Sequence, residues 1–228
     1  MDLDLFYEQL FKEGIQTLKA DEYTTDPYLL AGKDHRFGIT LLLRPDRAIR
    51  QEIQSFFHPF IQTDPNQYYY PHTDIHVTIL SIISCYEGFR LSQIDPRKYI
   101  RAIQQCVDQT QPFDIIYRGI TLSADAVMVR GHLADDSLNQ FRNCLRAQIK
   151  NSELADSIDK RYAIFTAHST VIRYQYPLHN KDRWIELLEE HENHDFGRQT
   201  VREVELVYND WYQRASKVQV LHTFELPD

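Results

Sequence analysis

Asp74-Ile75-His76-Val77-Thr78-Ile79-Leu80 and Ala167-His168-Ser169-Thr170-Val171-Ile172-Arg173 are the two stretches that decide how this chain is read. Each holds a histidine, one spacer and a threonine inside an apolar run. On a β-strand, residues two apart project from the same face. His76 therefore shares a face with Thr78, and His168 shares one with Thr170. Ile75, Val77 and Ile79 turn to the other side of the first stretch, as do Ala167, Ser169 and Val171 in the second. Of the ten histidines, only these two have serine or threonine two positions later. Two such strands facing each other would gather two imidazoles and two hydroxyls. Near neutral pH one imidazole can accept a proton while the other donates one, and hydroxyls can hydrogen-bond anionic oxygens.

Outward from these stretches, the apolar pattern sets the other elements. Phe37 to Leu43 predicts a buried strand, stopped by Pro45, which opens a helix. Ile49, Ile53, Phe56, Phe57 and Phe60 form that helix's inward stripe. Asp64-Pro65-Asn66 is a turn. Tyr68, Tyr69 and Tyr70 lead into the first motif; they read as strand packing, with a base-stacking ring as the alternative. Asp95-Pro96 caps a helix carrying Tyr99, Ile100, Ile103 and Val107. Phe113 to Ile116 and Ile120 to Leu122 predict strands broken near Gly119, and Ala126 to Val129 a third ending near Gly131. Asp135-Asp136-Ser137 starts a helix with Leu138, Phe141, Leu145 and Ile149 inward. Tyr162 to Arg173 is read as the second motif strand. Trp184, Leu187 and Leu188 mark a helix fraying into His191 to His194, whose spacing is no known zinc pattern. Val201 to Tyr208 and Ala215 to Leu226 predict a closing strand pair, with Asn209-Asp210-Trp211 in the turn.

Ahead of all this, Leu3, Phe6, Leu10, Ile15 and Leu18 recur at helical spacing, interrupted by Gly14. Residues 21–35, with Asp26-Pro27 and Gly32, read as irregular. Residues 1–35 are thus expected to be an N-terminal helical extension, and 36–228 a single domain of two lobes.

The chain has 228 residues, 43% of them hydrophobic, and a formal charge of −8. A negative balance argues against a broad duplex-binding face, while leaving room for a nucleotide or RNA end held by a few arginines. Cys85, Cys106 and Cys144 are scattered, odd in number and without CxxC spacing, and are read as reduced packing residues of a cytoplasmic protein. No apolar run approaches 18 residues, so no membrane span is expected. The acidic N-terminus lacks a signal-peptide pattern, and no Gly-rich phosphate loop is found. A monomer is expected.

On His76-Val77-Thr78, on His168-Ser169-Thr170 continued to Arg173, and on the element order from about residue 36 to 226, the chain resembles the 2H phosphoesterase superfamily. That superfamily includes the RNA 2′,3′-cyclic phosphodiesterases once called 2′-5′ RNA ligases. The resemblance implies a bilobal α+β fold, with two antiparallel sheets around a central cleft and helices outside. It implies a site without metal or cofactor, built from one His-x-Thr/Ser per lobe, that opens cyclic phosphates of small nucleotides or RNA termini. It makes His76 the general acid, His168 the general base, and Thr78 and Thr170 phosphate-binding. Many members carry proline where this chain has Ala167, and the first 35 residues have no counterpart in the smaller members.

Arg173 is a further phosphate-binding candidate, with a surface or lobe-packing role as its other reading. It lies five residues after His168, and on a regular strand that odd spacing points it to the opposite face. It reaches the site only where the strand bends or ends. His72 lacks a hydroxyl two residues on and is read as lying outside the site. Two other functional readings stand beside the enzyme. One is a non-catalytic module that binds a nucleotide or RNA end. The other is a metal hydrolase using His72, His76 and His168 with Asp74.

Overall fold

In the computed structural model, which describes residues 2–31, 34–160 and 164–227, the chain folds into nine strands in two antiparallel sheets with six helices among the described residues. The elements are α1 (Leu3–Lys19), α2 (Pro27–Ala31), β1 (Arg36–Leu43), α3 (Arg47–Thr63), β2 (Tyr68–Tyr69), β3 (Val77–Glu87), α4 (Pro96–Val107), β4 (Phe113–Ser123), β5 (Ala126–Leu133), α5 (Ser137–Asn151), β6 (Ser169–Arg173), α6 (Lys181–Glu190), β7 (Asp195–Val201), β8 (Glu203–Asp210) and β9 (Gln219–Glu225). One sheet runs β3-β1-β8-β9 and the other β2-β6-β5-β4-β7. The architecture is the α+β arrangement expected.

Each motif precedes one strand of a different sheet. Val77 starts β3 and Ser169 starts β6, so each histidine sits one residue ahead of its strand rather than inside it. The second motif strand is accordingly shorter than the expected Tyr162 to Arg173, and Tyr162 and Gly32 lie outside the described residues. Helix α3 packs on β7 and beside α6, α4 packs on β9, and α5 packs on β3. Trp184, Phe57, Phe60, Phe141 and Phe224 are fully buried between these layers. Burying each such side chain stabilises the fold by roughly 1.5–3 kcal/mol.

Several expectations change in the structure. Phe113 to Leu122 is one strand, not two. Gly119 adopts a left-handed φ of +78°, and a register shift between Tyr117 and Ile120 lets β4 bend without ending. β5 continues through Gly131 to Leu133. Asp195–Val201 is an additional edge strand paired with β4, where alternation is weak and the sequence shows only a fraying helix end. Asn209 and Asp210 finish β8 instead of forming its turn.

The reading of all three cysteines as reduced is corrected. Cys106 of α4 and Cys144 of α5 form a disulfide across 38 residues of sequence, and Cys85 remains a buried thiol beside Asn209. The two helices pack against each other, a contact that sequence spacing does not reveal.

Helix α1 lies across β4 with Tyr7, Phe11, Gly14, Ile15 and Leu18 buried. Asp2 caps it by accepting from the Asp4 and Leu5 N–H groups, at 3.0 and 3.3 Å. Gly14 is required by closeness. A Cβ there would stand 2.3 Å from Leu122 Cβ, so the glycine that weakens the helical pattern is what lets the helix dock. No described helix is long and apolar enough to cross a membrane.

Candidate active site

A cavity of about 430 Å³ lies between the two sheets, and His76, Thr78, His168, Thr170 and Arg173 all line it. Such a volume is ordinary for a small-molecule site. His72 is exposed at the surface. Among the described residues, no three His, Cys, Asp or Glu side chains gather as a metal-binding group.

β-Bulges aim the site. On β6, Ile172 pairs with Val127 and Thr170 with Met128, so Val171 is an extra residue without a partner across the ladder. A bulge resets alternation. Val171 and Ile172 are both buried, and Thr170 and Arg173, three apart, both face the cavity. This is how Arg173 overcomes its odd spacing. β3 does the same repeatedly. Leu41 pairs with Leu80 and Leu42 with Thr78, leaving Ile79 extra; Ile39 pairs with Ile83 and Thr40 with Ser81, leaving Ile82 extra. Thr78, Ser81 and Ser84 thus line the cavity at steps of three. Ser81 stands three residues after Thr78, as Arg173 stands three after Thr170. The two halves therefore present His-x-Thr-x-x-Ser and His-x-Thr-x-x-Arg to one space.

The imidazoles are held through Nδ1. His76 Nδ1 lies 2.8 Å from the Asp74 carbonyl oxygen. A carbonyl only accepts, so Nδ1 carries a proton and Nε2 is the atom that exchanges protons. Asp74 is itself fixed, its carboxylate accepting from the Thr73 hydroxyl at 2.8 Å and the Ala215 N–H at 3.0 Å. His168 Nδ1 lies 2.7 Å from the Thr166 hydroxyl, which can donate or accept. Both rings keep part of their surface open to the cavity yet sit deep in protein. Burial, first of all, depresses each pKa to about 4. For His76 the Asp74 carbonyl opposes the shift, while Arg44, His168 and Arg173 add to it. For His168, Arg142 and Arg173 add to it.

Arg173 is oriented by two partners. Its Nε donates to Tyr70 Oη at 3.0 Å and its Nη1 to Asp125 Oδ2 at 2.7 Å. Burial alone would lower its pKa, but Tyr70 and Asp125 reverse that and keep it charged. Of the three adjacent tyrosines, Tyr70 is fully buried in this supporting role, and Tyr69 donates to the Asp64 carbonyl at 2.7 Å. They serve packing and orientation.

Two supporting residues escape a sequence reading. Arg142, in the apolar stripe of α5, is fully buried. Its Nε donates to Ile79 O at 2.9 Å, and its Nη2 to Thr78 O at 3.1 Å and Thr166 O at 2.7 Å. The first two carbonyls lie at the β3 bulge, and the third precedes His168. One guanidinium thus ties both motifs together. The only sequence signal is a charge beside Phe141 where an apolar residue fits the stripe. Tyr7 of α1 accepts from the Ala167 N–H at 3.1 Å and donates to Gly131 O at 3.3 Å, which clamps the residue before His168. Gly131 permits that approach. A Cβ there would lie 2.1 Å from Ala167 O.

No protein-family model matches the chain, and no curated protein matches it in sequence. Solved structures are similar in fold. TT0787 of Thermus thermophilus superposes with a TM-score of 0.60 at 15% identity, covering 84% of this chain and 97% of that one. A phosphoesterase gives 0.56 at 12% identity over 85% and 99%. E. coli LigT complexed with 3′-AMP gives 0.54 at 14% identity over 85% and 99%. The fold is that of the 2H phosphoesterases. In this 2H phosphoesterase fold the two sheets each bring one His-x-Thr to the shared cavity, and α1 closes one side of it with Tyr7.

Proposed function

We propose that the chain is a metal-independent phosphodiesterase that opens the 2′,3′-cyclic phosphate, or a related cyclic phosphate, of a small nucleotide or RNA end. The observation that carries this reading is the meeting of His76, Thr78, His168, Thr170 and Arg173 on one cavity from opposite sheets. E. coli LigT, similar in fold, has been solved with 3′-AMP and with ATP, which supports a nucleotide as the ligand class.

In this mechanism His168 takes a proton from water as the water oxygen bonds to phosphorus. The bond from phosphorus to one ring ester oxygen breaks, and His76 Nε2 gives that oxygen its proton. One water is consumed and a phosphomonoester forms. The two histidines then regain their starting states by proton exchange with solvent. The Asp74 carbonyl stabilises a protonated His76, and the negative charge of a bound phosphate raises its pKa from about 4, which together suit the acid role. Thr166 can accept from His168 Nδ1–H, leaving Nε2 as the base. The Thr78 and Thr170 hydroxyls donate to the non-bridging oxygens, and Arg173 supplies positive charge. Each positioned acid or base contributes about 10²–10⁴-fold.

The test is hydrolysis of 2′,3′-cyclic nucleotides in the presence of a chelator. His76→Ala and His168→Ala should each lower kcat by at least about 10²-fold while the thermal melt still shows a folded protein. Turnover that needs added metal would overturn the mechanism. Nucleotide binding that survives both substitutions, without product from any cyclic phosphate, would establish a binding module instead.

A further inference from the structure

We infer that Asn209 and Gln213 are specificity-determining residues that hold a neutral, polyhydroxylated group at the end of the cavity away from the histidines. The ligand they select is a cyclic phosphate carried on a polyol. This rests on the cyclic-phosphate reading above for the position of the phosphate. The turn that leaves β8 is built to present these two amides. Asn209, Trp211 and Gln213 line the cavity, and the residues between them are tied into the protein behind. The Asp210 carboxylate accepts from the Arg214 N–H at 2.9 Å, and Tyr212 Oη donates to the Asp26 carboxylate at 2.8 Å. The Arg36 guanidinium lies over the Trp211 ring, 4.4 Å from its centroid. The Gln213 N–H closes the turn on Asp210 O at 3.2 Å. Gln213 has a φ of +58°, in the left-handed region that a glutamine seldom adopts. Such a conformation persists where its surroundings impose it, and it clusters at ligand sites.

Both amides are deeply buried, Asn209 being 2% exposed and Gln213 3%. Asn209 Nδ2 donates to Asp210 O at 2.8 Å, which fixes Oδ1 as the other end of that amide. Neither Asn209 Oδ1 nor Gln213 Oε1 receives a hydrogen bond from a described residue. Buried carbonyl oxygens normally have a donor, and a ligand hydroxyl at this wall would supply one. Register sets the distance. Leu42 pairs with Thr78 and Gly38 with Asn209, so the amide stands four residues along β1 from the Thr78 level, about 13 Å at the rise of a strand. Between the two levels Thr40 pairs with Ser81, and both line the cavity, as does Ser84. This wall is made of hydroxyl and amide groups, which both donate and accept, as the hydroxyls of a polyol do. The charged side chains lining the cavity among the described residues, histidines aside, are Asp125, Asp159 and Arg173. Arg173 pairs with Asp125 at 2.7 Å and Arg146 with Asp159 at 2.6 Å, so the far end suits a neutral group.

The experiment compares myo-inositol 1,2-cyclic phosphate with the cyclic phosphate of cis-cyclohexane-1,2-diol, which keeps the ring and the phosphate and lacks the other hydroxyls. The wild type should favour the inositol compound in kcat/KM by about ten-fold or more. Gln213→Gly removes the amide and suits the left-handed backbone, so it should bring that ratio to within about two-fold of unity, through KM, without lowering Tm. Asn209→Ala should lower the ratio in the same direction. In parallel, myo-inositol 1-phosphate is titrated by calorimetry into wild type and Gln213→Gly, and should bind the variant at least about five-fold more weakly. A wild type that does not distinguish the two cyclic phosphates, or a ratio or an affinity unchanged by Gln213→Gly, overturns the subsite. Should 2′,3′-cyclic nucleotides be hydrolysed while neither polyol compound is turned over or bound, the subsite falls and the reaction assigned above stands. Binding that depends on Gln213, without hydrolysis of any cyclic phosphate, upholds the subsite and sinks that reaction.

Discussion

Replacing Arg142 with methionine tests whether one buried guanidinium joins the two motifs. Methionine keeps the length of the stem and removes three N–H···O=C bonds, to Ile79 O, Thr78 O and Thr166 O. A hydrogen bond to a charged group contributes about 1.5–3 kcal/mol, so the gross loss is roughly 4.5–9 kcal/mol on that scale. Against this stands the burial of a cation with no carboxylate partner among those bonds, a penalty of several kcal/mol that the variant escapes. Burial has already drawn the guanidinium pKa down to about 10. Ile79 O and Thr78 O lie where the β3 bulge disturbs the ladder, so a methionine takes a donor away from each. We expect a net loss of about 3 kcal/mol, which for a domain of this size is a fall of roughly 6–12 °C in Tm.

A second readout separates this role from generic core damage. Arg142 depresses the pKa of His168, whereas Arg44 and Arg173 are the arginines acting on His76. Histidine ring titrations followed by NMR should therefore show the His168 pKa rise in Arg142→Met while that of His76 stays put. A variant melting within about 2 °C of wild type, with an unmoved His168 titration, would refute the account; the threshold is under 1 kcal/mol on the same scale.

Three further outcomes follow from the same geometry. Both catalytic candidates have folded pKa values near 4 against 6.5 in the unfolded chain, so the unfolded state binds more protons in that window, and stability should fall as pH drops from about 6.5 towards 4; denaturant melts of His76→Gln/His168→Gln should show a flatter pH dependence than wild type, and parallel slopes would contradict the burial argument. Gly131→Ala should lower kcat by at least about ten-fold, because its Cβ would lie 2.1 Å from the Ala167 carbonyl and must move the residue before His168; wild-type kinetics in a folded variant would show that this approach is slack. Reducing Cys106–Cys144, or the double serine variant, should cost about 3–4 kcal/mol by loop-closure entropy for a 38-residue separation, read as a lower Tm, and a melt indifferent to reductant would count against the bond.

Much of the architecture is local, and so it is legible in the chain. The apolar stripe Ile49, Ile53, Phe56, Phe57 and Phe60 places α3, and Asp95-Pro96 caps α4, because helix periodicity and capping act within a few residues. The pairing of His76 with Thr78 and of His168 with Thr170 follows from alternation alone. β7 was not legible, since an edge strand with one polar face and a polar lead-in has too weak an alternation to stand out.

What the sequence by itself determined is which side chains stand together on each motif: two histidines, each with a hydroxyl two residues on. That each pair meets on one cavity, that Arg173 and Ser81 join them, and that Tyr7 and Arg142 hold them were decided only by tertiary structure. The reason is physical. A bulge depends on the register of the partner strand, not on the residues it displaces, and its stray carbonyls take their donor from a helix more than sixty residues away. A side chain's partners in such a place belong to the packing of the whole molecule, and no local period in the chain encodes them.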